Sequence, residues 1–280
     1  MPYRLFFCLL ALLLLPAMTD AAVSDWHFKG ASIVPRNQTD FASNEFRQSV
    51  ANLRATGANT VSLVVPWYQT SVTSHDIQRG ENTPTDESLV SAIQYIHSLG
   101  MKVILKVHIE TLDKQWRANI NPSDRAAWFK AYGDMLVHNA RIAQAHRVEL
   151  VSLGTEMRGV SLDLVNPTNT QNWINMIGRV RSAYNGKLTY GAANGDEDTL
   201  VKFWPYLDYI AYSPYYDLSS ATSTSPSIES IKAEWQKWDM LEVQELHLRY
   251  GKPILFGEIG YRNIQNSTYQ SWSIGPRPGP

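Results

Sequence analysis

The feature that most constrains this chain is a unit that recurs along it. A helical stretch ends in a short polar or glycine-containing break, and a run of β-branched and apolar residues follows at once. Residues 53–57 lead into 59–65 (NTVSLVV), 96–100 into 102–107 (KVILKV), and the helical stretch around 126–146 into 148–153 (VELVSL). Residues 179–186 lead into 187–193 (KLTYGAA), and 246–251 into 253–256 (PILF). A glycine at such a break lets a helix end in the left-handed conformation. Helix starts are marked too: Asn121-Pro122-Ser123-Asp124 and Thr83-Pro84-Thr85-Asp86 combine capping side chains with an early proline. With a first strand over 26–34 and a sixth over 208–213, seven strands alternate with helices. The runs are nearly continuous in apolar residues, as parallel strands covered on both faces must be. The alternation predicts a (β/α)8 barrel or a doubly wound sheet. Neither an early G-x-G-x-x-G nor a G-x-x-x-x-G-K-[ST] occurs, which weighs against nucleotide-binding sheets and favours an α/β TIM barrel.

The chain of 280 residues suits one such domain, but only 22 residues follow Glu258 and they end in GPRPGP. Proline blocks both a full helix and a buried strand there. The expectation is therefore a (β/α)8 barrel lacking the eighth strand and its flanking helices at the C-terminus. Its parts are a signal peptide over 1–22 and a single domain over 23–280. The signal is read from a short basic start, an apolar segment over 5–16 and small residues at 19–22, with cleavage after Ala21 or Ala22. About 12 apolar residues are too few to cross a bilayer, which takes roughly 20. A secreted or periplasmic protein is expected, with no membrane anchor after cleavage. The single cysteine, Cys8, falls in this segment, so the mature chain has no thiol chemistry, disulfide or thiolate metal site. A formal net charge of −1 with no block of Lys and Arg argues against nucleic acid as a partner. The 9 Trp and 14 Tyr are mostly expected in the core, but flat rings also suit the faces of sugars.

Parallel barrels carry their chemistry at the C-terminal ends of the strands. The fourth run ends in Gly154-Thr155-Glu156-Met157 and the seventh in Gly257-Glu258-Ile259-Gly260-Tyr261. Strands 4 and 7 face one another across a barrel of eight, so the two glutamates can reach one substrate. One strand-end glutamate is as easily a structural ion-pair partner; two at these positions favour catalysis. Glycoside hydrolysis needs such a pair, one carboxyl to protonate the leaving oxygen and one to attack or stabilise the anomeric carbon. By the same strand-end reasoning Trp67, His108, Asn194, Tyr212, Tyr215 and Tyr261 are candidate substrate-binding residues, with Trp116 in the loop after strand 3. Tyr215 is preferred to Tyr212 as the tyrosine that hydrogen-bonds a catalytic carboxylate. His108 and Glu110 share a strand face, but no third ligand accompanies them, so no metal is assigned. No cofactor is expected.

The stretches VPWYQT (65–70), TPTDESLVSAI (83–93), GMKVILKVHIE (100–110), WRANINPSDRAAWF (116–129), VELVSLGTEM (148–157), LDYIAYSPYYDL (207–218) and KPILFGEIGYR (252–262) together resemble glycoside hydrolase family 113 and its bacterial relatives. These belong to the clan of retaining TIM-barrel glycosidases. GTEM and GEIGYR are the diagnostic pieces. The resemblance implies Glu156 as general acid/base, Glu258 as nucleophile and β-mannan as the leading substrate. Many clan members carry Asn before the acid/base, where this chain has Thr155, and an aromatic residue on strand 8. The expected function is a retaining glycoside hydrolase acting as a monomer on a β-linked polysaccharide or oligosaccharide. The alternative is a carbohydrate-binding or vestigial barrel impaired in turnover.

Overall fold

The computed structural model describes residues 27–223 and 225–273. The signal-like segment with Cys8, Trp26 at the head of the first expected strand, and the proline-rich end lie outside the described residues. Seven strands form one sheet: β1 (Gly30–Ile33), β2 (Thr60–Gln69), β3 (Lys102–Thr111), β4 (Leu150–Thr155), β5 (Lys187–Ala193), β6 (Ile210–Ser213) and β7 (Ile254–Phe256). Their order is sequential and every adjacent pair is parallel. Among the described residues no pairing joins β7 to β1. The helices are α1 (Asn44–Ala55), α2 (Asp86–Ser98), α3 (Arg125–Ala145), α4 (Arg158–Ser161), α5 (Asn169–Arg181), α6 (Glu197–Leu200), α7 (Ile228–Trp238) and α8 (Gln244–Tyr250). Sequential order follows when each parallel connection crosses over in the same right-handed sense.

The local signals act as written in the sequence. Thr85 Oγ1 accepts from the Ser88 amide at 3.1 Å and opens α2, and Asp124 Oδ1 accepts from the Ala127 amide at 2.9 Å and opens α3. Gly100 (φ 71°) and Gly251 (φ 62°) follow α2 and α8 in the left-handed region. Strand lengths differ from the expectation. β2 and β3 run on past their apolar runs and stay paired from Thr60↔Lys102 to Gln69↔Thr111. β1 starts only at Gly30, where a Cβ would lie 1.8 Å from the Thr60 carbonyl oxygen. Lys29 just before it is held by its amide, which donates to Asn59 Oδ1 at 2.8 Å.

The sheet curls into an open barrel. Lys106 on β3 reaches across the lumen and donates to the carbonyl oxygen of Gly257, after β7, at 3.1 Å. Small side chains line that lumen, including Ser62, Ser152, Thr189 and Ala211. The main apolar core lies outside the sheet, between strands and helices. Trp128, Trp173 and Trp204 are fully buried there. Trp128 stacks on Tyr132 with ring centres 4.6 Å apart, and Trp173 on Phe203 at 4.8 Å. Burying a ring of this size contributes about 3 kcal/mol, so this layer fixes β3 to β6 firmly on α3 and α5. Among the described residues no helix is long and apolar enough to cross a membrane.

Candidate active site

Side chains alternate between the faces of a strand, so register decides what enters the barrel. On β3 the residues Ile104, Lys106, His108 and Glu110 line the lumen, while Val103, Leu105, Val107 and Ile109 are buried in the outer core. On β2 the lumen receives Ser62, Val64, Pro66 and Tyr68. Because β2 continues as regular strand through Gln69, Trp67 turns to the outer side. There it packs on the core, with the Arg79 guanidinium 5.1 Å from its ring. Tyr68, not Trp67, therefore faces the cleft.

The upper lumen is a cleft of about 690 Å³ lined by Tyr68, His108, Glu110, Arg117, Tyr215 and Glu258, among others. It meets a second cleft of about 870 Å³ that holds Trp116, Glu156, Asn194, Tyr215, Glu258, Tyr261 and Trp272. Both glutamates, Glu156 and Glu258, thus open onto one space, with Tyr215 shared between its two halves. His108, Trp116, Asn194, Tyr215 and Tyr261 come together around them. Tyr212 does not: it is fully buried, hydrogen-bonded to the Tyr216 hydroxyl at 3.0 Å and packed edge-on against Phe256.

Polar contacts string the cleft residues together. Glu258 Oε1 accepts from Lys106 Nζ at 2.5 Å, and His108 Nε2 stands 3.6 Å from the same oxygen. His108 Nδ1 is 3.4 Å from Glu110 Oε1, which accepts from Arg117 Nη2 at 2.6 Å. Arg117 Nη1 then donates to Glu156 Oε2 at 3.3 Å, and Trp116 Nε1 approaches that oxygen at 3.4 Å. His108 and Glu110 are thus engaged with Glu258 and Arg117. The acid/base and nucleophile candidates differ in surroundings. Burial raises the pKa of the Glu258 carboxyl, but the neighbouring His108 and the charge and hydrogen bond of Lys106 outweigh it and hold the group well below the usual carboxylate range. Burial works the other way on Lys106 and lowers its pKa despite the Glu258 charge. The phenol of Tyr215 is pushed up to about 12 by burial and by the charges of Glu258 and Glu156, so it stays a neutral donor beside both carboxyls.

The backbone aims Glu156. The β4–β5 register shifts between Ser152 and Thr155, and such irregularities re-aim side chains beside active sites. Glu156 then adopts φ 52°, in the left-handed region, with its amide donating to the Gly191 carbonyl at 2.7 Å. Thr155 before it is fully buried and does not line the cleft.

The model of Glycoside Hydrolase Family 113 matches residues 33–275. The chain belongs to that family. No curated protein matches the chain. Among solved structures it is similar to a family 113 β-mannanase, AaManA from Alicyclobacillus acidocaldarius, at 26% identity. That match covers 90% of this chain and 78% of the other, with a TM-score of 0.75. A second family 113 β-1,4-mannanase matches at 24% identity over 87% of this chain and 76% of that one, also with a TM-score of 0.75. The endo-1,4-β-mannanase of Rhizomucor miehei shares the fold at 12% identity and a TM-score of 0.58, over 83% of this chain and 77% of that one. The family 113 neighbours are TIM-barrel enzymes, and the seven parallel strands found among the described residues follow that architecture.

Two residues of the cleft, Lys106 and Trp272, were not singled out from sequence. Lys106 sits within the apolar run KVILKV, although a lysine two residues before His108 on a strand must share its face. Tyr68 follows the same apolar run as Trp67, and the strand register gives the cleft to Tyr68 rather than to Trp67. Trp272 is 60% exposed and lines the second cleft with the similarly exposed Trp116, and its surroundings gave no periodic signal.

Proposed function

We propose that this glycoside hydrolase is a secreted or periplasmic retaining enzyme that cleaves β-mannan. Glu258 attacks the anomeric carbon while Glu156 protonates the departing oxygen. Glu156 then takes a proton from the water that releases the sugar. The observation that carries this reading is the unequal treatment of two carboxyls opening onto one cleft. Glu258 is held ionised by Lys106 and His108, as a nucleophile must be. Glu156 is contacted by Arg117 and Trp116 from a loop that forms one wall of the cleft. The mannan assignment draws support from the β-mannanases that the chain resembles. Trp116 and Trp272, exposed on the cleft wall, suit the apolar faces of successive sugar rings.

The test is hydrolysis of mannan, glucomannan, cellulose and xylan by the wild-type chain, Glu156→Gln and Glu258→Gln, with the first-formed anomer read by NMR. Activity on mannan with retained configuration, lost in both variants by at least about a thousandfold, is the expected result. An inverted product removes the double-displacement mechanism. A folded wild-type chain that hydrolyses none of the four removes the enzyme reading in favour of a binding role.

A further inference from the structure

Glu197 belongs to no part of the catalytic scheme, yet it is the most completely enclosed carboxylate near it. It is the first residue of α6 and has no solvent exposure. Its Oε1 accepts from Ser161 Oγ at 2.5 Å and from Tyr190 Oη at 2.6 Å, and its Oε2 from the Ala193 amide at 2.8 Å. Burial pushes it up to about 7 against these three donors. A charge withdrawn this far from water is costly unless such partners replace the water.

Two of those partners lead back to Glu156. Tyr190 Oη, while donating to Glu197, accepts from the amide of Met157 at 2.7 Å. Ser161 closes α4, the helical turn that begins directly after Met157. Directly before them stands Glu156 at φ 52°, a conformation non-glycine residues adopt only where their surroundings hold them in it. The other side of the turn is held by Tyr132, whose hydroxyl donates to the Leu153 carbonyl at 2.7 Å. Gly154 lets the two tyrosines close in: a Cβ there would lie 2.7 Å from Tyr132 Oη and 3.3 Å from the Tyr190 ring. The third donor, Ala193, precedes Asn194 on the far wall of the cleft. One buried carboxylate therefore ties the turn bearing Glu156 to the end of β5.

We infer that Glu197, acting through Tyr190, is a positioning residue for Glu156, fixing the direction in which that carboxyl faces the leaving oxygen. This rests on the reading of Glu156 as the general acid/base. A role confined to anchoring α6 would need the Ala193 contact alone. The Tyr190 and Ser161 contacts run instead to Met157 and to the turn that follows Glu156.

Glu197→Gln and Tyr190→Phe test it, the second being the milder change where the first impairs folding. Two substrates of the same sugar are compared by kcat/KM, which reports events up to formation of the glycosyl–enzyme. One is an unactivated manno-oligosaccharide that needs a proton on its leaving group, and the other a dinitrophenyl glycoside that does not. Misplacing an acid by an ångström costs about a hundredfold, so kcat/KM on the oligosaccharide is expected to fall about 10- to 100-fold, with the dinitrophenyl glycoside within about twofold of wild type. In parallel, exchange of the Met157 amide, followed by NMR, is expected to quicken about tenfold or more in both variants. Equal losses on the two substrates, or unchanged Met157 exchange, overturn the positioning role. No turnover of either substrate by folded wild type overturns the acid/base reading and the positioning role with it. Met157 exchange then still reports whether the network holds the turn.

Discussion

Lys106 is the residue on which the charge of the cleft turns. Its side chain is almost fully buried, and its ammonium group touches Glu258 and the Gly257 carbonyl. Lys106→Met removes the cation and leaves the half-buried Glu258 beside His108. The pKa of Glu258, now depressed, must rise, so the acidic limb of the kcat/KM profile shifts to higher pH. Breaking a buried pair from one side costs about 3 kcal/mol, the low end of the usual range because Glu258 keeps some contact with solvent. A pH–rate profile and a urea melt check the two effects, and an unmoved acidic limb would show that Lys106 does not set the charge of Glu258. This residue also marks what could be read beforehand. Glu156 and Glu258 were legible because each ends an apolar run beside glycine. Lys106, Tyr68 and Trp67 depended on knowing that β2 and β3 continue as regular strand past those runs, since one extra residue reverses the face. Tyr212 and Tyr215 at the end of β6 differ in the same way, one buried against Tyr216 and the other in the cleft.

At the scale of elements, α6 is unusual in spending half of its four residues on buried acids. Beside Glu197, Asp198 is fully buried against Glu242 of the widened helical turn Asp239–Val243. Burial first, and then the neighbouring Glu242 carboxyl, raise Asp198 far above the usual carboxylate range. The folded protein therefore keeps a proton that the unfolded chain releases near its ordinary pKa. Stability from this group is fully present below that ordinary value and is lost as the pH rises towards the raised one. At its steepest the loss is about 1.4 kcal/mol per pH unit for one proton. Asp198→Asn carries no such proton, so its melting temperature should gain on wild type steadily from pH 4 to pH 8. Parallel melting curves across that range would show that Asp198 is not protonated in the folded state. The elements themselves were largely foreseeable from capping residues and glycine breaks, because those act over a few residues. The buried acids of α6 were not, since nothing in GDEDTL distinguishes a solvated acidic turn from one buried beside Trp204.

On the scale of the whole molecule, the sheet is firm at its centre and open at its edges. β2 to β5 are covered by helices, whereas β1 is largely exposed and β7 only partly buried. Each of these outer strands is paired on one side among the described residues. Amide exchange should follow this gradient, slowest in β3 and β4 and fastest in β1 and β7, because local opening is easiest where few apolar contacts must be broken. The two catalytic candidates then stand on unequal ground: Glu156 follows a fully buried strand, while Glu258 follows an outer strand that is only partly buried. The main tie holding β7 inward across the lumen is the contact from Lys106 on β3 to Gly257 and Glu258. Lys106→Met should therefore accelerate exchange in β7 while leaving β1 nearly as in wild type. A sugar-like inhibitor spanning Glu156 and Glu258 should slow β7 in both proteins, since a ligand that binds only the closed arrangement stabilises it by mass action. Hydrogen exchange read by mass spectrometry separates the outcomes. Equal acceleration of β1 and β7 would mean that the lysine stabilises the sheet generally. Acceleration confined to β7, reversed by the inhibitor, would mean that substrate completes on its own account the bridge the lysine begins.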